Sequence, residues 1–366
     1  MPSLTLIAEQ TLAPVPGGTG RYAAQIGAAL AASAPPGWTV RSVTAWHRDV
    51  AAARIAGVDG PHRLPAGRRA LTALWARGLP PWLRGDSIHA TTPLAPARRG
   101  VPLVVTVHDA VPWTHPETLT PRGVRWHRAM IGRLARRADA VVVPSNAVAD
   151  DLAVLLPGVA QRLRVIPHGV TALPPPDDAA ARRLRLGLPD GYVLSLSTLE
   201  PRKGLDVLVR AMAAPELART GLAVVGQTGW GGMDLPSVAA AAGLSPDRLH
   251  VLGRVSDDDL AAVLAGATVL AVASRAEGFG MPVLEGMAAG VPVVHSAAAA
   301  LVDVAGGAGV EVPVGDSVAL ASALAQVLHD TVTADRLRAA GLSRSSEFSW
   351  RSAAQQLWRV HAGLFG

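Results

Sequence analysis

Lysine has the most unusual distribution of any residue type in this sequence. Lys203 is the only lysine among 34 lysine and arginine residues, and it lies within SLSTLEPRKGLD at 195–206. One explanation is chance retention in an arginine-rich chain. The other is that a compact ammonium on a flexible stem binds a phosphate as a point charge, in contrast to a planar guanidinium. The surrounding motifs have to decide between them.

The segment SRAEGFGMPVLEGMAAGVPVV at 274–294 is the richest in candidate chemistry. Ser274 and Glu277 have capping-box spacing, but the glycines after them disfavour a helix at that point. A helix is predicted to begin near Met281, with Pro282 at its first position, and to end at Gly290.

This helix start predicts an anion site. The amides of Gly278, Phe279, Gly280 and Met281 would lie at a helix N-terminus after a buried strand, where phosphates bind. Glu277 and Glu285 bracket these amides. Their carboxylates could therefore accept hydrogen bonds from hydroxyl groups on either side of a bound phosphate. The alternative for Glu285 is stabilisation of the helix dipole by about 0.3 to 1 kcal/mol.

A glycine-rich turn, PVPGGTGRYAAQIGAAL, opens the first predicted helix. Gly18, Gly20 and Ala23 match the spacing of a dinucleotide-binding motif. That motif also needs an acidic residue at the end of the second strand, where this chain has TAWHRDV with its acid, Asp49, displaced. The turn is therefore interpreted as backbone amides for an anion, or as a tight turn alone.

Two further clusters have chemical and structural interpretations. His108 and Asp109 end a predicted strand, where the histidine could present a polar edge to developing positive charge; a histidine with satisfied hydrogen bonds is the alternative. The run Asp257–Asp259 follows Ser256 and precedes an apolar helical pattern. It predicts a capped, acidic first helical turn and not a metal site.

Short apolar runs alternate with helical patterns and predict two doubly wound α/β domains. Their sheets would face one another across a ligand-binding cleft. The predicted boundaries are an N-terminal Rossmann-like domain at 1–172, a linker at 173–186, a second Rossmann-like domain at 187–347, and a C-terminal helix within 348–366 that is capped by Ser349 and packs back on the first domain. The predicted strands are 4–9, 39–46, 87–91, 102–109, 140–145, 162–169, 192–198, 222–227, 249–253, 267–274, 292–296 and 309–313.

Composition narrows the class of protein. With 366 residues, 49% of them hydrophobic, the chain can bury two cores, and the absence of cysteine excludes disulfides and thiol chemistry. The net charge of +6 favours a polyanionic partner, but no motif for nucleic-acid binding is found. Neither a signal peptide nor a membrane-spanning helix is expected, which favours a cytoplasmic enzyme.

Seven motifs, which follow one another along the chain in the same order as in one enzyme family, resemble the motifs of that family. The set EGFGMPVLE, LEPRKGLDVLVRA, VGQTGW, PSNAVADDL, IPHGV, PGGTGRY and FSW resembles the retaining nucleotide-sugar glycosyltransferases of GT-B fold, family 4, which include many bacterial mannosyltransferases. The resemblance covers nearly the whole chain.

The resemblance implies a role for each matched residue. Glu285 would bind the ribose, Glu277 the donor sugar, and Arg202 with Lys203 the departing diphosphate, while His108 would face the anomeric carbon. Many relatives carry arginine at the position of Thr198, so Arg202 would supply that charge here. The implied catalytic residues are His108, Arg202, Lys203 and Glu277, and the implied donor-binding residues are Gly18, Thr198, Val255, Gly278, Phe279, Gly280, Met281, Leu284 and Glu285.

Glycosyl transfer develops positive charge on the sugar and negative charge on the leaving diphosphate. Without a metal motif or a cofactor, fixed cations and helix amides would stabilise that diphosphate, and retention would follow from front-face attack by an acceptor hydroxyl. The resemblance suggests GDP-mannose first, then a UDP- or dTDP-sugar, and a glycan or lipid-linked acceptor. The alternatives are a nucleotide-sugar 2-epimerase and a non-catalytic nucleotide-sugar-binding protein.

The stretch PRGVRWHRAMIGRLARRADA at 121–140 is basic and helical in pattern, with Trp126, Met130 and Leu134 on one face. It fits an ordinary amphipathic helix packed on its sheet. The alternative is that its arginines contact anionic lipid, which would make the protein peripheral on the inner face of a membrane.

Overall fold

The buried apolar runs of the sequence form the strands of two parallel sheets. The structure is a computed structural model that describes residues 1–96, 100–229 and 231–364. The chain divides into two units: Met1–Gly169 with Phe348–Gly366, and Val170–Glu347. All twelve predicted strands are present in the sheets.

The first unit contains a seven-stranded parallel sheet in the order β3-β2-β1-β4-β5-β6-β7. One of its strands, β3, was not predicted, because its residues DGPHR are polar and mostly exposed at the sheet edge. The strands are β1 (Ser3–Ile7), β2 (Thr39–Thr44), β3 (Asp59–Arg63), β4 (Ser87–Ala90), β5 (Leu103–Thr106), β6 (Ala140–Val143) and β7 (Leu163–Val165), and the helices are α1 (Gly17–Ala32), α2 (Arg68–Ala76), α3 (Val111–Thr114), α4 (Pro121–Ala135) and α5 (Asn146–Leu155).

The second unit contains a six-stranded parallel sheet in the order β10-β9-β8-β11-β12-β13. Its strands are β8 (Tyr192–Leu196), β9 (Gly221–Val225), β10 (Leu249–Gly253), β11 (Val269–Val272), β12 (Val293–Ser296) and β13 (Val310–Val312). Its helices are α6 (Ala179–Arg185), α7 (Leu205–Met212), α8 (Leu235–Ala241), α9 (Asp257–Gly266), α10 (Met281–Ala288), α11 (Ala299–Ala305), α12 (Ser317–His329) and α13 (Thr331–Ser346).

The N-terminus of α9 has the cap that the sequence predicts. Ser256 accepts a hydrogen bond from the amide of Asp259, so α9 begins with the capped acidic turn that was predicted. The range predicted as a linker contains α6, whose Arg182 pairs with Asp259 at 2.9 Å. That pairing anchors α6 on the first turn of α9.

Each sheet has one point where the strand order reverses, between β1 and β4 in the first unit and between β8 and β11 in the second. Helices leave these strands in opposite directions, which opens a crevice at the carboxyl ends where ligands bind. The loops after β8 and β11 therefore occupy the best ligand position in the second unit.

The last helix, α14 (Trp350–Ala362), belongs to the first unit. Ser349 caps it by accepting a hydrogen bond from the amide of Ser352, as the sequence predicts. The indole N–H of Trp358 donates to the Leu30 carbonyl of α1 at 3.1 Å. The Trp358 contact fixes α14 on α1 of the first unit.

Gly204 offers a test of how tightly the loop after β8 is packed. It has a φ of +64°, and a Cβ there would lie 2.0 Å from the Ala273 carbonyl oxygen, whereas Gly187 has a φ of +70° with nothing within 4 Å. We expect Gly187→Ala to cost about 1 to 2 kcal/mol of unfolding free energy from its backbone conformation alone. Gly204→Ala should cost roughly 3 kcal/mol more, because the backbone must move. Calorimetric unfolding of both variants checks this, and equal losses would contradict it.

Candidate functional site

The loops that follow β8 and β11 are fastened to each other by arginine. The amide of Arg275 donates to the Arg202 carbonyl at 2.8 Å, and the Arg275 guanidinium donates to the Pro201 carbonyl at 2.7 Å. The same guanidinium binds both carboxylate oxygens of Asp206 at 2.8 Å. A bidentate pair of this kind sets orientation as well as distance.

These loops bring three of the predicted site residues into direct contact. Lys203 Nζ lies 2.6 Å from Glu277 Oε1, and Arg202 Nη1 lies 3.0 Å from Glu277 Oε2. The hydroxyl of Ser274 donates to Glu277 Oε1 at 2.8 Å, so the Ser274–Glu277 spacing serves this carboxylate instead of capping a helix. Only 8% of the Glu277 side chain and 12% of the Lys203 side chain are exposed.

Charge compensation keeps Glu277 ionised. Burial by itself raises the pKa of Glu277, but the charges of Lys203 and Arg202 outweigh it and lower the pKa to about 2. Burial and the neighbouring Arg202 lower the pKa of Lys203, while Glu277 opposes the shift. The three groups together carry a net charge of +1 at neutral pH. A carboxylate has about four lone-pair positions, and three donors leave room for about one hydroxyl.

Two helices begin beside this cluster with glycine caps. α7 follows Gly204 and α10 follows Gly280, whose φ values are +64° and +98°, and neither cap supplies a side-chain hydrogen bond. A Cβ on Gly280 would meet Leu301 at 2.5 Å. Helix N-termini carry partial positive charge, so the two helix starts and the two cations place positive charge together at the ends of β8 and β11.

The remaining predicted donor residues of the second unit surround these loops in different environments. Thr198 follows β8 and is half-buried, and Val255 lies between β10 and α9 at the carboxyl end of the sheet. Leu284 and Phe279 are buried, so neither side chain offers surface to a ligand. Glu285 is the fifth of the eight residues of α10.

In the first unit, His108 follows β5 and is held by two hydrogen bonds. Its Nε2 lies 2.7 Å from the Thr91 carbonyl, which can only accept, so Nε2 carries the proton. Its Nδ1 lies 3.3 Å from His168 Nε2. Burial lowers the pKa of both rings, so His108 is neutral and His168 donates to it.

Tyr22 packs against this histidine pair. Its ring centroid lies 4.8 Å from that of His108 and 4.4 Å from that of His168, and Trp350 of α14 packs behind at 6.0 Å. The sequence motifs PGGTGRY and IPHGV contain Tyr22 and His168, but no role had been predicted for either residue.

A chain of buried hydrogen bonds, here called the polar relay, continues from Tyr22 through the first unit. Each consecutive pair of its groups lies between 2.7 and 3.4 Å apart. In order, the groups are the hydroxyls and rings of Tyr22, Thr106, His89, His361 and Ser87, ending at the carbonyl of Pro102. No spacing in the sequence relates these residues.

Gly18 is exposed in the first turn of α1, and the neighbouring Gly20 is buried. A Cβ at Gly20 would lie 2.4 Å from Pro16 Cβ, so the turn needs glycine at that position. Across the described ranges, no cluster of three His, Asp or Glu side chains could hold a metal ion. In the same part of the chain, no helix is both long and apolar enough to cross a bilayer.

The basic helix α4 packs as an amphipathic helix. Met130 and Leu134 are buried in the core of the first unit, and Trp126 is partly buried against it. The arginines at 122, 125, 136 and 137 are exposed. The ordinary packing interpretation of this stretch is therefore correct for its apolar face.

Two family models match the chain. "Glycosyltransferase Family 4" matches residues 16–172, and "Glycosyl transferases group 1" matches residues 190–330. A D-inositol 3-phosphate glycosyltransferase of Nocardioides sp. is 30% identical over 302 residues, covering 76% of this chain and 65% of that protein. The MMP alpha-(1->4)-mannosyltransferase of Mycolicibacterium hassiacum is 32% identical over 288 residues, covering 72% of this chain and 66% of that protein.

The chain thus spans just under two thirds of the length of these curated relatives. Among solved structures, Anabaena HepE in complex with UDP-glucose superposes with a TM-score of 0.77 at 22% identity, covering 99% of this chain and all of that one. Sucrose-phosphate synthase from Thermosynechococcus elongatus gives the same TM-score at 24% identity, covering 100% of this chain and 99% of the other. These likenesses show the fold.

The polar relay predicts the tautomer of each histidine. Ser87 has one proton and donates it to the Pro102 carbonyl, so His361 must donate from Nδ1, His89 must donate from Nδ1, and Tyr22 must donate to Thr106. We expect long-range proton–nitrogen spectra to show neutral His361 and His89 protonated at Nδ1, and His108 protonated at Nε2. Resonances of the opposite tautomers would contradict the assignment.

The same burial predicts acid sensitivity. Burial lowers the pKa of His361 to about 3, from a reference value near 6.5, and lowers those of His89 and His168 in the same direction. Below pH 6.5 the unfolded chain binds protons that the folded one does not, so stability is complete above that pH and falls below it. The loss should approach about 1.4 kcal/mol per pH unit for each histidine.

Denaturant unfolding at pH 7 and pH 5.5 checks this, with proton uptake measured from calorimetry in two buffers. This window lies above the titration range of Glu277, so the histidines dominate. Unfolding at pH 5.5 without proton uptake would contradict the prediction.

Proposed function

Because the chain belongs to the family 4 glycosyltransferases of GT-B fold, we propose that it moves a hexose from a nucleoside diphosphate sugar to a hydroxyl group of a glycan or glycolipid. The observation that supports this most is the contact of Arg202 and Lys203 with Glu277 at the strand-order reversal of the second sheet. A buried pair of cations next to two helix N-termini suits a ligand with a diphosphate.

In the proposed reaction, the bond between the anomeric carbon and the diphosphate oxygen breaks as an acceptor hydroxyl attacks. Negative charge develops on the diphosphate and positive charge on the sugar ring. Arg202, Lys203 and the amides at Gly280 and Met281 would stabilise the leaving group without a metal. Attack from the same face would retain the anomeric configuration, with a diphosphate oxygen taking the acceptor proton.

Glu277 and Glu285 have separate parts in this proposal. The remaining lone-pair position of Glu277 would accept a hydrogen bond from a hydroxyl of the donor sugar. Glu285 would accept hydrogen bonds from the ribose hydroxyls. Because position 198 is a threonine, the guanidinium would come from Arg202. The Nη1 atom of Arg202 also donates to the Ala276 carbonyl at 2.8 Å. His108, neutral and with both ring nitrogens in hydrogen bonds to the Thr91 carbonyl and His168, would face the anomeric carbon as a fixed ring and not as a hydrogen-bonding partner of the sugar.

The proposed donor is GDP-mannose, which is supported by relatives named as mannosyltransferases. A UDP- or dTDP-sugar is the second candidate, since Anabaena HepE was solved with UDP-glucose. Several relatives are named D-inositol 3-phosphate glycosyltransferases, so a phosphorylated polyol belongs in the acceptor panel. A cytoplasmic location with peripheral contact to the inner face of an anionic membrane is also proposed, and the exposed arginines of α4 support it.

The proposal is tested by following released nucleoside diphosphate from a panel of nucleotide sugars, with and without envelope glycolipid and inositol phosphate as acceptors. We expect release coupled to transfer, with the anomeric configuration retained and with equal rates in EDTA. A new sugar isomer would indicate a 2-epimerase, and binding without turnover would indicate a sensor; either would overturn the proposal.

Variants of the cation cluster test the site. We expect Lys203→Ala and Glu277→Ala each to lower kcat by at least about a hundredfold, because one preorganised charge is lost from the transition state. Arg336→Ala removes an exposed cation of α13 in the same unit and should leave kcat unchanged.

Each variant is assayed at least 10 °C below its measured unfolding temperature, so that loss of folding is separated from loss of catalysis. Near-normal turnover in a folded Lys203→Ala or Glu277→Ala protein would remove these residues from the proposed site.

A further inference from the structure

Trp46 is exposed at a ligand-binding edge. It follows β2 at the carboxyl ends of the first sheet, and 58% of the residue is accessible to solvent. Its amide donates to the Ala66 carbonyl at 2.8 Å, which fixes it beside the start of α2. Leaving so large an apolar surface in water is unfavourable at about 25 cal/mol per Å². A ligand with an apolar face would remove that cost.

A buried carboxylate lies next to Trp46 and takes no part in the proposed chemistry. Glu9 follows β1, is 2% exposed, and accepts hydrogen bonds from the Ala45 amide at 2.7 Å and from His47 Nε2 at 2.9 Å. Arg68 Nε lies 3.8 Å from the same carboxylate. Burying a carboxylate is costly. Through these two hydrogen bonds Glu9 holds the residues on both sides of Trp46 at the sheet edge.

The first turn of α2 contradicts the usual electrostatics of a helix. Arg68 and Arg69 occupy this turn, and Gly67 caps it without a side-chain hydrogen bond. Cations at a helix N-terminus oppose its dipole and normally destabilise the helix. Such local conflicts concentrate at functional sites. Two further arginines lie at the ends of β2 and β3, where the Arg63 guanidinium donates to the carbonyl of Arg48 at 3.1 Å.

We propose that Trp46 with Arg48, Arg63 and Arg69, here called the edge subsite, binds an anionic carbohydrate as the acceptor. The apolar C–H face of a sugar ring would pack on the indole, and a phosphoester or carboxylate of the same molecule would contact the guanidinium groups. The inference rests on the proposed function, since it names the acceptor class for that activity.

The strand order supplies the distance between subsite and chemistry. Three inter-strand steps separate β2 from β5, the strand that carries His108. At about 4.8 Å per step, the edge subsite lies roughly 14 Å along the sheet from the candidate catalytic histidine. An acceptor with a reactive hydroxyl at one end and its anionic group some two sugar units away could reach both His108 and the edge subsite.

A binding experiment tests the edge subsite without any turnover. The full chain is labelled with 5-fluorotryptophan, the Trp46 fluorine signal is assigned from Trp46→Phe, and glucose 6-phosphate or glucose is titrated in. We expect glucose 6-phosphate to shift the Trp46 signal and glucose to shift it at least about tenfold more weakly, with a difference that shrinks in high salt.

The matched controls carry the same change of charge. Arg48→Gln with Arg69→Gln should weaken the response to glucose 6-phosphate by about tenfold, whereas Arg122→Gln with Arg125→Gln on α4 should leave it unchanged. An unmoved Trp46 signal, or equal weakening in both double variants, overturns the inference. A signal that moves with phosphatidylglycerol vesicles but not with glucose 6-phosphate also overturns it, because the ligand is then a lipid surface.

A kinetic experiment separates this inference from the proposed function. Trp46→Ala should raise the KM for a phosphorylated glycan acceptor by about tenfold while the rate of donor hydrolysis by water stays unchanged. An unchanged acceptor KM would contradict the edge subsite alone. Absence of both hydrolysis and transfer in the unaltered protein would contradict the proposed function, and the fluorine spectra would still decide on the subsite.

Discussion

The contact between Glu277 and its two cations is the interaction on which the second unit's site depends. A carboxylate with 8% of its side chain exposed is stable as an ion only because Lys203 and Arg202 lie within 3.0 Å of its oxygens. Removing one partner of a buried ion pair typically costs about 3 to 5 kcal/mol. The close approach of Gly204 to Ala273 and the clamp made by Arg275 hold together the two loops that carry these three charges.

The candidate site of the first unit is held by hydrogen bonds between neutral groups, in contrast to the ion pairs of the second unit. Its histidines are kept neutral by burial, and each passes one hydrogen bond to the next, so the polar relay carries no net charge. Tyr22 lies where the relay meets His108 and His168, and burial raises its pKa, which preserves the hydroxyl as a donor. α14 contributes to both ends of this arrangement, with Trp350 beside His168 and His361 inside the relay. The C-terminal helix is thereby part of the environment of His108, although His108 and Trp350 lie 242 positions apart in the sequence.

The sequence predicted whatever depends on local pattern. Runs such as AVVV at 140–143 are apolar on both faces, and this is why twelve strands could be located. The strand β3 was not predicted because DGPHR is typical of a loop, and α6 was not predicted because the prolines before it and its own charges suggested a linker. Lys203 was singled out by composition and Glu277 by motif, but their contact joins residues 74 positions apart, and only the reversal of strand order brings them together. The polar relay and Glu9 are tertiary products with no local pattern at all.

Lys203 and Arg202 are paired with Glu277 before any ligand binds, and this has a consequence for catalysis. Lysine and arginine lose roughly 2 kcal/mol of side-chain rotamer freedom when they are fixed, and here Glu277 fixes them within the folded unit. A diphosphate arriving at this site would meet cations that are already oriented, so little of its binding free energy would go to ordering side chains. In the proposed reaction, the same carboxylate would limit how strongly the cations hold the ground-state diphosphate. Their attraction would grow in relative importance as negative charge builds on the leaving group, which is the condition for binding the transition state more tightly than the substrate.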